Sequence, residues 1–264
     1  MLLIIEALLL ISAALGQDHR AAAKGQIFPL NMALNSVDDQ YKGCRKNMAD
    51  LVKKKYLNEE MSNSKFANGW KHAEDNYKPP GDDLTKTHSI AIYVYTNSES
   101  DVYKEFNKAD RDGKDSYKTK TYKWYSLHFL LTDAIQILNK TQNKCYDTYR
   151  GTRVEFKKPT LNKEVRFGSF TSSSGFLKKA QDFGTVSCFE IHTCEGAYVK
   201  NYSKYPEEEE VLIPPYEKFN VTAVKKRRKE PNLWCETVYV LNSTGPISEL
   251  NCALFKKPTK TIMK

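Results

Sequence analysis

The spacing of apolar residues changes once along the chain, near Cys145, and this change restricts the fold more than any other feature of the sequence. Upstream of it, the apolar residues of Tyr122–Asn139 recur at three- and four-residue steps, which predicts an amphipathic helix. A second helical pattern runs from about Met48 to Tyr77. Downstream, short β-rich segments separated by turns predict strands at Thr148–Arg153, Glu164–Phe170, Thr185–His192, Gly196–Lys200, Val211–Ile213, Lys218–Val224 and Leu233–Leu241. An N-terminal helical part followed by strands predicts an α+β fold with a mainly antiparallel β core.

The segment between the two helical patterns is less regular. Pro79–Asp82 predicts a turn, His88–Tyr95 is β-rich and predicts a strand, and Asn97–Lys120 is polar and predicts loop with short helix. No repeat or long linker interrupts residues 17–264, so we expect a single domain there. The sequence has neither a Gly-x-Gly-x-x-Gly motif nor a P-loop, so any nucleotide would bind outside the Rossmann and P-loop schemes.

The N-terminus indicates the compartment. Leu2–Leu15 is an apolar run that ends at the small-x-small sequence Ala14-Leu15-Gly16, which predicts a secretory signal peptide over residues 1–16. A buried N-terminal helix is the alternative interpretation. The run has the length of a signal peptide and is too short to span a bilayer. The basic segment Phe255–Lys264 lacks the hydrophobic tail of a lipid-anchor signal. We therefore expect a secreted, extracellular protein without a membrane anchor, and we expect a monomer.

Six cysteines follow the predicted signal peptide, at positions 44, 145, 188, 194, 235 and 252. An even number in an oxidising compartment predicts disulfides, and the spacing alone leaves their connectivity open. No Cys-x-x-Cys pair occurs and the five histidines are scattered, so we expect no metal site. Four Asn-x-Ser/Thr sequons agree with secretion and make the chain a candidate glycoprotein; they begin at Asn139, Asn201, Asn220 and Asn242.

The charge balance leaves one binding function open. Lys and Arg number 41 and Asp and Glu 32, which gives a formal net charge of +9. This excess is consistent with binding nucleic acid, heparin-like polymers or acidic ligands, and equally with a basic secreted protein that has no such partner. Five of the cations are consecutive, at Lys225–Lys229, and form a candidate polyanion site. A catalytically silent, basic binding protein is therefore one hypothesis.

Three short segments of the strand-rich half carry residues suited to chemistry. Arg150, in Tyr149-Arg150-Gly151, offers a fixed fork of donors for a phosphate, although a lone surface arginine on a strand would look the same. The serines of Ser172–Ser174 fit either a polar turn or a group that orients a carboxylate. Glu208 and Glu210 lie two positions apart, and in an extended segment they project to one face, so both carboxylates can meet one substrate. An acidic, solvated loop is the alternative.

In this order and spacing, the three segments resemble the Arg, Ser-x-Ser and Glu-x-Glu signature of the ecto-ADP-ribosyltransferases, relatives of arginine-modifying bacterial toxins. Asn31–Tyr41, Tyr93–Thr96 and Glu210–Glu217 also resemble segments of that family, so the resemblance covers nearly the whole chain after the predicted signal. It implies a mono-ADP-ribosyltransferase that transfers ADP-ribose from NAD, or NADP, to arginine side chains of proteins or to small guanidino acceptors. Nicotinamide is released and no metal is required.

The resemblance also implies a role for each motif residue. Arg150 would hold the nicotinamide mononucleotide half, and Gly151 would let the backbone approach the nicotinamide amide. Ser172 would hydrogen-bond the catalytic carboxylate and orient it. Glu210 would bind the nicotinamide ribose and stabilise the oxocarbenium-like charge, as carboxylates do in glycoside hydrolysis. Glu208 would hold the acceptor guanidinium and take its proton, which makes arginine the expected acceptor.

Four further nucleotide contacts follow from the resemblance. They are Tyr95 on the strand predicted before the long helix, Ser169 at a position that is often Gln in the family, Phe183 as a ring that covers the nicotinamide or packs in the core, and Ser203 shortly before the Glu-x-Glu motif. If the guanidinium site is poor, water would be the acceptor and the chain would be an NAD glycohydrolase.

The family pattern also implies the disulfides Cys44–Cys252 and Cys145–Cys194. It assigns no partner to Cys188 or Cys235, which either pair with each other across strands or stay as buried thiols.

Overall fold

The computed structural model describes residues 27–157 and 161–255. The predicted signal peptide, residues 1–16, and most of the basic C-terminal tail lie outside these ranges. No described helix is both long and apolar enough to cross a membrane.

The first half of the chain is helical. Its α-helices span Arg45–Leu51, Leu57–Glu60, Ser64–Asn76, Lys86–Thr96, Val102–Asp112, Lys114–Lys118 and Tyr125–Gln142, with a π-helical turn at Val52–Tyr56 and a 3-10 turn at Ser98–Ser100. The predicted long helix is confirmed at Tyr125–Gln142. The pattern predicted over Met48–Tyr77 is interrupted at Met61–Asn63, where the Asn63 side chain accepts hydrogen bonds from the amides of Lys65 and Phe66 and starts the helix Ser64–Asn76.

Ten strands are described: β1 Ile27–Phe28, β2 Tyr146–Arg150, β3 Glu155–Phe156, β4 Glu164–Val165, β5 Thr171–Ser174, β6 Ser187–Thr193, β7 Ala197–Tyr198, β8 Glu210–Ile213, β9 Glu217–Lys226 and β10 Thr237–Pro246. Eight of them form a sheet in the order β4-β9-β10-β6-β2-β5-β8-β7. Only β10 and β6 pair in parallel among these eight described strands. The second half also contains the short helix Leu177–Asp182 and 3-10 turns at Pro206–Glu208 and Ala253–Phe255. The predicted α+β fold with a mainly antiparallel core is confirmed.

The helices cover one face of the sheet. Leu212 packs in the large apolar cluster formed by the helices, whereas its neighbour Ile213 packs with Phe189 and Phe219 in a second cluster. Successive strand residues point to opposite faces, so Glu210, two residues before Leu212, lies on the helical face. The start of β8 therefore faces the helices.

The strand predicted at His88–Tyr95 is wrong, because this segment belongs to the helix Lys86–Thr96. The helix starts at a capping box: the Thr85 amide donates to His88 Nδ1 at 3.1 Å, and the Thr85 side chain accepts from the backbone of His88. Residues 88–96 are all buried, so the polar face that would reveal helical periodicity is missing. A short, continuous apolar run does not distinguish a strand from a buried helix.

The loop predicted at Asn97–Lys120 is also mostly helix. Val102–Asp112 buries Val102, Tyr103 and Phe106 on one face and exposes charges on the other. Charged and polar residues outnumber the apolar ones here, which favoured the loop prediction, although the apolar positions follow a helical step. A shorter helix, Lys114–Lys118, follows.

Three disulfides close the fold. Cys44–Cys252 joins positions 208 residues apart, and Cys145–Cys194 joins β2 to the end of β6, so both predicted pairings are confirmed. Cys188 pairs with Cys235. These two cysteines therefore form a disulfide and are not buried thiols. Near the second bridge, the amide of the predicted sequon Asn139 donates to the carbonyls of Cys194 and Gly196 at 2.9 and 2.8 Å.

Candidate active site

The three motifs lie on neighbouring strands. β5 pairs with β2 through Ser174 and Tyr149 and with β8 through Ser174 and Glu210. The arginine, serine and glutamate motifs therefore meet at one end of three adjacent strands, although up to 60 residues separate Arg150 from Glu210. Neighbouring antiparallel strands hold their side chains about 5 Å apart, which is close enough for all three motifs to act on one ligand.

Arg150 is half-buried at the end of β2, and its Nη1 donates to the carbonyl of Ser172 at 2.7 Å. This bond fixes the guanidinium plane against β5. The positive charge also lowers the pKa of the Glu210 carboxyl, so the arginine and glutamate motifs interact electrostatically across the strand between them.

Glu210 is almost fully buried at the start of β8. Ser203 Oγ donates to Glu210 Oε2 at 3.4 Å. The hydroxyls of Ser172 and Ser203 both lower the pKa of the Glu210 carboxyl. Burial raises the pKa of Glu210 to about 7, against the lowering effect of these serines and of Arg150. Its Oε1 has no hydrogen-bond partner among the described residues. A buried oxygen without a partner is costly, which favours a ligand that donates to it.

Glu208 is not in an extended segment, as the sequence predicted, but closes the 3-10 turn Pro206–Glu208. Its side chain is nevertheless buried, and Ser174 Oγ donates to its carbonyl at 2.7 Å. Burial, followed by the negative charges of Glu210 and Glu207, raises the pKa of Glu208 to about 9. Its Oε2 also lacks a partner among the described residues. The two carboxylates are electrostatically coupled, and a cation placed beside Glu208 would relieve the repulsion.

Glu209 separates the two carboxylates and turns its own side chain elsewhere. Its backbone is left-handed, with φ 51° and ψ 49°, a conformation that non-glycine residues seldom adopt. Tyr198 Oη and Lys200 Nζ both donate to its carboxylate. Glu209 therefore holds the junction between the 3-10 turn and β8, and its charge is balanced by Lys200.

Tyr95 lies beneath the site, on a helix rather than on the predicted strand. Its buried hydroxyl donates to the carbonyl of Phe170 at 2.8 Å and accepts from Asn107 Nδ2 at 3.0 Å. Burial raises the pKa of Tyr95 well above its ordinary value, and the Glu210 charge raises it further, whereas the Arg150 charge and the Ser172 hydroxyl lower it. Tyr95 thus supports the serine motif from the helical side.

The other predicted nucleotide contacts have the following surroundings. Ser203 contacts Glu210, as described above. Ser169 is buried, and its Oγ accepts from Arg111 Nη1 at 3.3 Å. Phe183 is half-buried at the end of the helix Leu177–Asp182. Packing alone explains why position 151 is a glycine, because a Cβ there would collide with the carbonyl oxygens of Ala180 and Gly184.

Sequence reasoning missed several residues that support the site. Asn107 and Arg111 lie on the helix that was predicted as loop, so no signal pointed to them. Tyr198 and Lys200 reach Glu209 because β7 pairs with β8, where Tyr198 lies opposite Val211, and the sequence does not show this pairing.

One group of described side chains has the composition of a metal site, but two of its members are bonded to each other. Sγ of Cys145, Sγ of Cys194 and a ring nitrogen of His192 lie within 4.8 Å of one another. The two sulfurs form a disulfide, and metal ligation requires thiolates. His192 Nδ1 lies 2.7 Å from Asp147 Oδ1.

Comparison with known proteins agrees with this geometry. A family model described as NAD:arginine ADP-ribosyltransferase matches residues 30–237. The chain is 37% identical over 235 residues to NAD(P)(+)--arginine ADP-ribosyltransferase 2 of Gallus gallus, covering 86% of this chain and 73% of the relative. It is 35% identical to GPI-linked NAD(P)(+)--arginine ADP-ribosyltransferase 1 of Mus musculus, covering 87% and 74%.

Solved structures show the same likeness. The eucaryotic mono-ADP-ribosyltransferase ART2.2, as a mutant in complex with NADH, superposes with a TM-score of 0.71 at 30% identity. The match covers 87% of this chain and all of that one. A second ART2.2 mutant, in complex with NAD, gives the same TM-score. From the family model, the curated relatives and these structures together, the chain belongs to the NAD:arginine ADP-ribosyltransferase family.

Proposed function

We propose that this protein transfers a single ADP-ribose from NAD to the guanidinium of arginine side chains, releasing nicotinamide. The observation that carries the proposal is the pair of buried carboxylates, Glu208 and Glu210, each with one oxygen that has no partner among the described residues. One oxygen fits a ribose hydroxyl and the other fits a guanidinium. The same site would accept NADP if the added 2′-phosphate of its adenosine half stays outside the cleft.

On the NAD side, the roles follow from the charges. Arg150 binds a phosphate oxygen of the dinucleotide and holds the nicotinamide half in place. Glu210 accepts a hydrogen bond from the nicotinamide ribose and stabilises the positive charge that develops as the bond to nicotinamide breaks, with its electron pair leaving on nicotinamide. Ser172 and Ser203 keep the Glu210 carboxylate in position and favour its charged form. Phe183 covers the nicotinamide ring.

On the acceptor side, Glu208 attracts the guanidinium, which stays protonated at neutral pH. A cation beside Glu208 lowers the pKa of this carboxyl, so binding of the acceptor converts Glu208 to the carboxylate. When a guanidinium nitrogen forms its bond to the ribose, Glu208 takes the proton that the nitrogen loses. Arginine-bearing polypeptides and small guanidino compounds are therefore the proposed acceptors.

Secretion as a monomer is proposed with this activity. The signal-like sequence of residues 1–16 and the three disulfides support an oxidising, extracellular location. Sequencing of the protein from culture medium should find an N-terminus at or near Gln17. Treating the cells with a lipase should not increase the amount of this protein in the medium. Protein that stays on the cell surface until a lipase releases it would contradict secretion.

The activity itself is tested by the acceptor dependence of nicotinamide release. The purified protein is incubated with labelled NAD, with and without agmatine. The expected result is an ADP-ribose–agmatine adduct, with nicotinamide release that increases with agmatine. Release that is unaffected by agmatine would identify an NAD glycohydrolase instead, and no release at all would identify a protein without this catalytic activity.

A further inference from the structure

Phe176 is a large aromatic side chain left in solvent beside the site. It exposes 57% of its surface, in the short connection between β5 and the helix Leu177–Asp182. Most phenylalanines are buried because an exposed ring forgoes a large hydrophobic gain. A phenylalanine ring that remains exposed at the edge of a site is suited to contact a ligand that covers it.

The position of Phe176 is fixed relative to the two glutamates. Its amide donates to Ser174 Oγ at 3.0 Å, and the same hydroxyl donates to the carbonyl of Glu208 at 2.7 Å. The neighbouring Gly175 amide donates to the carbonyl of Glu209 at 3.1 Å. The backbones of Gly175 and Phe176 are therefore tied by hydrogen bonds to the backbones of Glu209 and Glu208.

The surroundings of Glu208 are acidic as well as apolar. Glu207 and Asp182 both raise the pKa of Glu208 through their charge, so both lie near it, and Glu207 is exposed. Lys179 acts in the opposite direction. An exposed ring and two further carboxylates around a buried one complement a cationic peptide that carries an apolar side chain.

We propose that Phe176 is an acceptor-selecting residue, which favours arginines in polypeptides with a bulky apolar residue at an adjacent position. This inference rests on the proposed arginine transfer and names its substrate class. The arginine reaches Glu208, the neighbouring apolar side chain packs on the Phe176 ring, and Glu207 and Asp182 attract the positive segment. The Glu208 oxygen without a partner binds the guanidinium, so the Phe176 ring is available to the side chain next to the arginine.

The test compares three acceptors: agmatine, a pentapeptide with a central arginine flanked by glycines, and the same peptide flanked by leucines. We expect the wild-type protein to prefer the leucine-flanked peptide. Phe176→Ala should raise the KM for that peptide about three- to tenfold, the range of one aromatic packing contact, with kcat unchanged. The KM values for agmatine and the glycine-flanked peptide should not move. Phe176→Trp should retain the preference.

Phe255→Ala is the matched control, since it makes the same chemical change at another exposed phenylalanine, in the 3-10 turn Ala253–Phe255. It should leave all three KM values unchanged. An equal rise for agmatine in Phe176→Ala would overturn the inference, because the ring would then belong to the guanidinium pocket. A wild-type protein that treats both peptides alike would also overturn it. Absence of transfer to agmatine by the wild type would instead refute the proposed function.

Discussion

The environment of Glu208 makes a quantitative prediction about the pH dependence of arginine transfer. Burial and three neighbouring carboxylates raise the pKa of Glu208 to about 9. At pH 7 only about 1% of the free enzyme then carries the Glu208 carboxylate, and this share grows about tenfold per pH unit. Because kcat/KM reports ionisation in the free enzyme, the value for transfer to agmatine should rise close to tenfold from pH 7 to 8 through Glu208, and about a further twofold through Glu210, whose pKa is about 7. It should level off near pH 9.

The assay measures initial rates of adduct formation from pH 5 to 10, with NAD and agmatine well below their KM values and with enzyme-free blanks at each pH. Glu208→Gln has no carboxyl at this position, so its residual NAD hydrolysis should show only the rise due to Glu210, whose pKa is about 7. A wild-type transfer profile that is already flat above pH 6 would refute the reasoning, since Glu208 would then ionise as an ordinary glutamate does.

Three further predictions concern stability and binding. Burial also raises the pKa of Glu60 to about 8, so the folded state keeps a proton that the unfolded chain loses near pH 4.5. The free energy of unfolding should therefore fall by up to a few kcal/mol from pH 5 to 8. In urea titrations, Glu60→Gln should make the free energy of unfolding less dependent on pH over this range. Removing the Cys44–Cys252 bridge, which closes 208 residues, should cost about 5 kcal/mol in the chain-entropy model, measured by urea unfolding of the double serine variant. Replacing the exposed Arg228 and Lys229 by alanine should weaken retention on heparin without changing transfer to agmatine; unchanged retention would show that these two residues do not bind the polyanion.

Much of the site was predictable because its chemistry is local in sequence. Arg150, the serines of β5 and the two glutamates each stand in short motifs of recognisable type. The strand pattern after Cys145 already predicted an antiparallel sheet that could bring them together. The same pattern could not supply the register, and it is the pairing of Ser174 with both Tyr149 and Glu210 that joins the three motifs.

The errors have physical causes. Tyr95 was predicted on a strand because its helix is buried all round and shows no polar face. Glu208 and Glu210 were expected to share a face through simple alternation. They are instead placed by a 3-10 turn and a left-handed residue, Glu209, whose side chain is held by Tyr198 and Lys200. Such contacts depend on tertiary structure, so spacing along the chain does not reveal them.

The central claim is that Glu210 serves every reaction that breaks the nicotinamide bond, whereas Glu208 serves only the acceptor. It is tested most directly by measuring arginine transfer and NAD hydrolysis side by side in Glu210→Gln and Glu208→Gln, with thermal melts to confirm folding. Glutamine is nearly isosteric with glutamate, so packing changes little. Glu210→Gln should abolish both reactions, and Glu208→Gln should lower transfer about 10²–10⁴-fold while hydrolysis remains measurable. Full transfer by Glu208→Gln, or any activity close to wild type in Glu210→Gln, would contradict the account.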